Sequence, residues 1–146
     1  MRHFPLRALA AVAVICGASL SASQTDAHSA LAYGTHGTVA EGGLALGYAY
    51  NFSTKGEAES QALQQCLSYM DAPAETRAAC KLVSSFNNQC LAIAIDPAAG
   101  TEGFGWSVSS SLADAKAKAM RECRETDGPE HADACQITGA QCDTTN

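Results

Sequence analysis

The chain has 146 residues and a formal net charge of −6, from nine Lys and Arg against fifteen Asp and Glu. This length predicts a single domain of modest size. The acidic balance argues against nucleic acid or an anionic membrane surface as the partner, because both attract basic surfaces.

The first part of the chain is arranged like a cleavable secretory signal. Three basic side chains within residues 2–7 precede the apolar run 8–15, and small residues follow at 21–23. The apolar run is shorter than the ~20 residues that a membrane span needs. We therefore expect residues 1–29 to comprise a signal peptide and lead-in, cut somewhere from 21 to 29. The small and polar residues 21–32 are expected to be a leader remnant and a short flexible lead-in. The alternative is a retained N-terminal anchor helix. Cleavage predicts a secreted, extracellular or cell-envelope protein without integral membrane insertion.

After the leader, the pattern predicts two strands joined by a turn. Residues 37–40 are the first strand candidate, and Glu-Gly-Gly at 41–43 is a turn signal. In residues 44–51 Leu and Tyr alternate with Ala and Gly. Large side chains on one face and small ones on the other predict a sheet with one side packed close to another element.

Two helices are predicted from their caps. Thr54 followed by Glu57 matches a capping box, and Ser111 followed by Asp114 is a looser version of it. Both helices then carry a stripe of mostly small residues at helical spacing, which we expect to be buried. The stripes are Ala58, Ala62, Leu63 and Cys66 in the first helix, and Ala115, Ala119, Met120 and Cys123 in the second.

Four further strands complete the pattern. Residues 80–86 follow the first helix, and residues 90–95 are apolar throughout, which predicts a central strand. Phe, Trp and Val alternate in 104–108 after a loop, and 135–138 form the last strand.

The two halves repeat each other. From Thr54 onward they align at an offset of 57 without a gap, so that Cys66 corresponds to Cys123. Each half reads strand, strand, helix, strand. We therefore predict an α+β domain over 30–146, built from ββαβ repeats at 33–90 and 90–142. Its simplest assembly is one mostly antiparallel sheet with two helices on one face.

Six of the seven cysteines follow the leader, and an even number in an exported chain predicts disulfides. A zinc site is the alternative, but the chain contains no Cys-x-x-Cys pair. Equivalent cysteines of the two halves should behave alike, which gives the hypothesis 66–80, 123–135 and 90–142. These pairs are Cys66 with Cys80, Cys123 with Cys135, and Cys90 with Cys142. The last pair, formed by the third cysteine of each copy, is expected to join the two halves.

The residues quoted above resemble a known family. The run Phe-x-Asn-x-Cys-x-Ala-x-Ala at 86–94 is its most specific part, joined by Gly-Tyr-Ala-Tyr-Asn at 47–51, Cys-Lys-Leu-Val at 80–83 and Trp106. Over about residues 33–142 the chain resembles the secreted bacterial family catalogued as domain of unknown function 4189. The resemblance implies a small exported protein with this cysteine framework and supplies no catalytic residue.

No catalytic or metal-ligating pattern stands out. His131 and Cys135 are four apart, but Gly-Pro at 128–129 disfavours a regular helix there. The acidic run 125–130 lacks the ligand spacing of a calcium loop. No histidine is placed beside Ser109 as a base. We therefore assign no catalytic, cofactor-binding or metal-binding residue, expect no cofactor, and predict that the protein is not an enzyme.

The aromatic residues suggest a binding surface. Gly-Tyr-Ala-Tyr from 47 and Gly-Phe-Gly-Trp from 103 place four of them at matching positions, Tyr48 with Phe104 and Tyr50 with Trp106. One interpretation is core packing beneath the helices. The other is an exposed strip that binds a partner protein or a glycan.

These observations predict a secreted, disulfide-bonded binding module whose ligand is a protein or a cell-envelope or glycan component. Two alternatives stay open, namely a small secreted hydrolase with an unrecognised site and a structural envelope protein. A hydrolase would need a concave pocket with convergent polar groups. An envelope protein would associate with the cell wall.

Overall fold

A computed structural model describes residues 26–143, so residues 1–25 of the predicted leader and residues 144–146 lie outside the described part. The described chain contains six strands and four helices. The strands are β1 (His28–Gly34), β2 (Ala45–Phe52), β3 (Lys81–Asn87), β4 (Cys90–Ile95), β5 (Phe104–Ser109) and β6 (Gln136–Cys142). The helices are α1 (Val39–Gly42), α2 (Lys55–Leu67), α3 (Ala74–Ala78) and α4 (Leu112–Asp127).

The α+β class and the order strand, strand, helix, strand in each half are confirmed, but the expected single sheet is wrong. The strands form two antiparallel sheets of three, in the orders β2-β1-β3 and β5-β4-β6. In each half the first strand pairs with both of the others and takes the central place. Each half therefore completes its own sheet.

The two sheets pack face to face, and the helices cover their outer sides. In β1, Ala30 and Ala32 lie in the alanine-rich cluster under α2, whereas Leu31 lies in the cluster between the sheets. The ring of Tyr33 meets that of Phe104 from the second sheet edge-on, with centroids 5.1 Å apart. The resulting layers are α2, sheet, sheet and α4, so the expectation that both helices lie on one face is wrong. Large side chains fill the space between the sheets, and small ones allow each helix to approach its own sheet.

Both predicted helix starts are confirmed. The Thr54 hydroxyl accepts the backbone N–H of Glu57 at 3.3 Å and donates to the Glu57 carboxylate at 2.9 Å. Ser111 accepts the N–H of Asp114 at 3.2 Å. The buried residues of the two helices are Ala58, Ala62 and Cys66 in α2 and Ala115, Ala119 and Cys123 in α4. These six belong to the predicted stripes, and Leu63 and Met120 are half-buried beside them.

The first strand was predicted in the wrong place. The chain pairs as a strand from His28 to Gly34, and the expected strand at 37–40 is replaced by α1. Thr38 caps this short helix by accepting the N–H of Glu41 at 3.2 Å. Residues 28–32, expected as a flexible lead-in, instead form the centre of the first sheet. The hydrogen bond of the Thr38 cap explains why residues 39–42 coil instead of extending.

All three predicted disulfides are confirmed. Cys66–Cys80 ties α2 to the start of β3, and Cys123–Cys135 ties α4 to the start of β6. Cys90 and Cys142 face each other across β4 and β6, so the third bond lies within the second sheet. The expectation that this bond joins the two halves is therefore wrong, because β4 and β6 both belong to the second half.

Candidate binding groove between the two sheets

The four aromatic residues singled out in the sequence do not form one strip. All four point into the layer between the sheets, so packing beneath the helices is not their role. Tyr48 and Tyr50 lie side by side on β2 with ring centroids 5.6 Å apart. Phe104 is buried and Trp106 is half-buried on β5. Tyr48 retains 38% of its accessible surface, which makes it the most exposed of the four.

The structure matches the aromatic residues of the two halves differently from the sequence alignment, which placed Tyr48 opposite Phe104. The N–H of Tyr48 donates to the side-chain oxygen of Gln65 at 3.2 Å, and the N–H of Trp106 donates to Glu122 at 3.0 Å. Gln65 and Glu122 are separated by the same 57 positions as Cys66 and Cys123. Tyr48 therefore corresponds to Trp106 and not to Phe104.

A cleft of about 490 Å³ opens beside Tyr48, where β2 faces β4 and β6. Its apolar wall is made by Leu46, Ile93 and Ile95. Met70, which is 81% exposed, lies at its rim after α2. The remaining lining residues are Tyr48, Tyr69, Gln65, Ser68, Thr138 and Gly139. The cleft thus combines an apolar interior with a few polar groups, as is common in ligand sites.

Gly139 on β6 keeps this cleft open. A Cβ atom at this position would lie 3.8 Å from the Ile93 side chain and 4.0 Å from the Tyr48 hydroxyl. A single methyl group would therefore fit, whereas a branched side chain would reach into the space beside Tyr48. This position offers a way to narrow the cleft without removing any group that lines it.

A second cleft of about 340 Å³ continues the first along the same side of the molecule. The two clefts share Leu46, Tyr69 and Ile95 and together form one groove. The far end of the groove is formed by α1 and by residues 96–101, the first part of the β4–β5 loop. Asp71 and Asp96 give this end an acidic lining.

An acidic pair lies behind that end of the groove. A Cβ atom on Gly103 would lie 2.6 Å from the Asp96 Cβ and 2.8 Å from the Asp127 carboxyl carbon. Asp96 and Asp127 therefore both lie against Gly103, where a side chain would not fit. Burial, the Asp96 charge and a hydrogen bond with Asp96 raise the pKa of Asp127. The charge of His131 and the Gly103 N–H oppose this rise. Sequence reasoning missed the pair, because its two members are 31 positions apart.

The residues weighed for catalysis are not assembled into a site. His36 lies in the bend between β1 and α1, and His131 lies in the turn after α4; both are exposed. The Ser109 hydroxyl accepts a hydrogen bond from the Lys118 ammonium at 3.0 Å, but Ser109 is buried and lines neither cleft. Within residues 26–143 no three His, Cys, Asp or Glu side chains are grouped closely enough to hold a metal ion.

The fold defines a small α+β domain of two disulfide-bonded halves. Comparison with known protein families matches residues 28–142 to the family described as Domain of unknown function (DUF4189), and the chain belongs to that family. No curated protein matches the chain, and no solved structure does. None of the helices between residues 26 and 143 combines the length and the apolar character that crossing a membrane requires.

Proposed function

We propose that this chain is an exported binding module that uses the groove between its sheets to hold an apolar side chain of a partner protein. Export is supported by the signal-like leader and by three disulfides, which persist in oxidising compartments. The disulfides fix both helices to their sheets. A covalently braced groove loses little conformational freedom on binding, which favours affinity.

The main observation that supports this proposal is the exposed side chain of Met70 beside an apolar cleft. Its side chain is 81% exposed, and Tyr48, 38% exposed, lies across the same cleft. Methionine and tyrosine are enriched at protein interfaces, where a few such residues supply most of the binding energy. The wall formed by Leu46, Ile93 and Ile95 is aliphatic, which suits a leucine-like or aromatic side chain. Gln65, Ser68 and Thr138 supply hydrogen-bonding groups at the edge for the partner's backbone.

The experiment is selection from a phage-displayed peptide library on the oxidised, exported protein. We expect enriched peptides to share an apolar or aromatic residue. Met70→Ser with Tyr48→Ser should weaken their binding at least tenfold, since losing an interface anchor costs about 2 kcal/mol. Gly139→Val should weaken it as well by narrowing the cleft. Leu82→Ser is the matched control, because Leu82 is 38% exposed on β3 and lines neither cleft.

Three results would contradict the proposal. The first is selected peptides that lack an apolar anchor. The second is binding that is unchanged in the Met70 and Tyr48 variant or equally weakened in the Leu82 control. The third is a pair of outcomes: no peptide is enriched, and the protein instead binds cell-wall fragments on a glycan array. In that case the Met70 and Tyr48 variant would lose the binding to the fragments.

A further inference from the structure

The β4–β5 loop, residues 96–103, forms the end wall of the groove and is closed at its base by a backbone hydrogen bond. The N–H of Asp96 donates to the carbonyl oxygen of Gly103 at 2.8 Å. Residues 96–101 line the second cleft directly. The position of this loop therefore sets the length of the groove.

The base of the loop rests against the end of α4 through two carboxyl groups. Asp96 is buried, and one of its oxygens accepts the N–H of Ala98 at 2.8 Å. Its other oxygen and both oxygens of Asp127 are shielded from solvent, and no donor among the described residues makes a well-aligned hydrogen bond to them. Buried polar atoms without a partner are rare and call for an explanation.

A proton shared between the two acids supplies that explanation. Two ionised carboxylates in contact repel each other, whereas one proton between them provides an O–H···O bond and removes one charge. The pair also faces His131, whose charge favours ionisation of Asp127, and the N–H of Gly103, which acts in the same direction. The raised pKa of Asp127 shows that burial and Asp96 outweigh both.

The C-terminal side of the loop, next to Gly103, is held by an acid whose pKa is shifted in the opposite direction. The Glu102 carboxylate accepts the N–H groups of Val39 at 3.1 Å and of Ala40 at 3.2 Å, at the start of α1. Hydrogen bonds from the Thr38 side chain and from these two amides lower the pKa of Glu102. This contact therefore needs the ionised form of Glu102.

We propose that the β4–β5 loop is a pH-dependent clasp, held on its N-terminal side by a proton shared between Asp96 and Asp127 and on its C-terminal side by ionised Glu102 against α1. The contact between Asp96 and Asp127 is present at low pH and is lost as the pH rises through the raised pKa of Asp127. The contact of Glu102 with α1 is present at higher pH and is lost as the pH falls through the lowered pKa of Glu102. Both contacts are present between these two pH values, and the contact between Asp96 and Asp127 is lost above them.

The clasp is independent of the proposed binding function, because its test needs no partner. The experiment is amide hydrogen exchange of the Asp96 N–H by NMR across the pH range, expressed as a protection factor. In the native protein we expect this factor to fall by up to tenfold per pH unit between the ordinary pKa of an aspartate and the raised pKa of Asp127, where opening releases one proton, and to level off above that range. In Asp127→Asn it should stay within twofold, because the amide mimics the protonated acid. Asp133→Asn, an exposed acid in the following turn, should behave like the native protein.

Two results would overturn the clasp. One is a native protection factor that does not change with pH, or a fall of equal slope in Asp127→Asn. The other is a protection factor that is restored at high pH by millimolar calcium, which would make the pair a cation site. If Asp127→Asn does not fold, Asp96→Asn is the second variant. It leaves the burial of Asp127 in place but removes the Asp96 charge that helps to raise its pKa, so the fall must end at a lower pH than in the native protein.

Discussion

Gly47 of β2 and Gly105 of β5 make the same contact in the two halves of the molecule. A Cβ atom on Gly47 would overlap the carbonyl oxygen of Ala62 and the N–H of Cys66 in α2. A Cβ atom on Gly105 would overlap the corresponding atoms of Ala119 and Cys123 in α4. Each helix thus lies against its sheet at a distance that only glycine permits, and the following disulfide fixes it there.

Alanine at either glycine should therefore destabilise the protein. The added methyl group meets helix backbone, which cannot move aside as a side chain would, so we expect a loss of about 3 kcal/mol in the free energy of unfolding. Chemical denaturation measures this loss. Gly56→Ala is the control, because Gly56 lies in α2 with open space around its Cα, and alanine there should stabilise by up to about 1 kcal/mol. Equal stability of Gly47→Ala and Gly56→Ala would contradict the close approach.

The side chains that cover the outer strands give a second prediction. Gln65 and Glu122 accept the N–H groups of Tyr48 and Trp106, which face away from the neighbouring strand. Such coverage protects an edge strand from pairing with another molecule. Gln65→Ala should cost about 1 kcal/mol of stability and speed exchange of the Tyr48 amide.

The control for this change is Gln64→Ala, one position away on the exposed surface of α2. We expect it to alter the free energy of unfolding by less than about 0.5 kcal/mol, as is usual for surface substitutions. Unchanged exchange of the Tyr48 amide in Gln65→Ala would show that water replaces the side chain without loss.

The pH dependence of stability should contain a contribution from Glu102. Because its pKa is lowered in the folded state, the stabilisation is present above the ordinary glutamate pKa and is lost as the pH falls through the lowered value. Glu102→Gln should therefore be less stable than the native protein at neutral pH and equal to it at strongly acidic pH. Denaturation curves at several pH values measure the difference. A difference in stability that is constant at all pH values would show that packing, and not the charge of Glu102, causes it. Glu130→Gln, which changes an exposed acid, serves as the control.

Trp106 is the single tryptophan, and its half-buried position gives a simple optical prediction. Its ring packs against the cluster between the sheets. Acrylamide should therefore quench its fluorescence more slowly than it quenches free indole. Quenching at the rate of free indole would place Trp106 on an open surface and restore the aromatic strip that the sequence suggested.

Much of each half could be predicted because local chemistry determines it. The Thr54 and Ser111 caps fix where α2 and α4 begin, and the alternation in 44–51 assigns the faces of β2. The error at β1 has a physical cause: residues 28–32 are small and polar enough to resemble a leader remnant, yet Leu31 and Tyr33 alternate with Ala30 and Ala32 as a buried strand should.

The groove and the acidic pair could not be predicted, because they depend on contacts between distant elements. Six short strands can form either one sheet or two. Which arrangement forms depends on which strand edges stay unpaired. Gly139 and Tyr48 meet only once the sheets stack, and Asp96 meets Asp127 only once α4 has packed. Nothing in the local sequence marks these pairs.

The rigidity of both halves depends on an oxidised scaffold in which every cysteine that follows the leader is paired. The most direct measurement is intact-mass analysis of the exported protein after alkylation without reduction, followed by peptide mapping. We predict no alkylated cysteine and three cross-linked peptides, which join Cys66 to Cys80, Cys90 to Cys142 and Cys123 to Cys135. Alkylated sulfur atoms on the folded protein, or a bond between Cys66 and Cys123, would contradict the account.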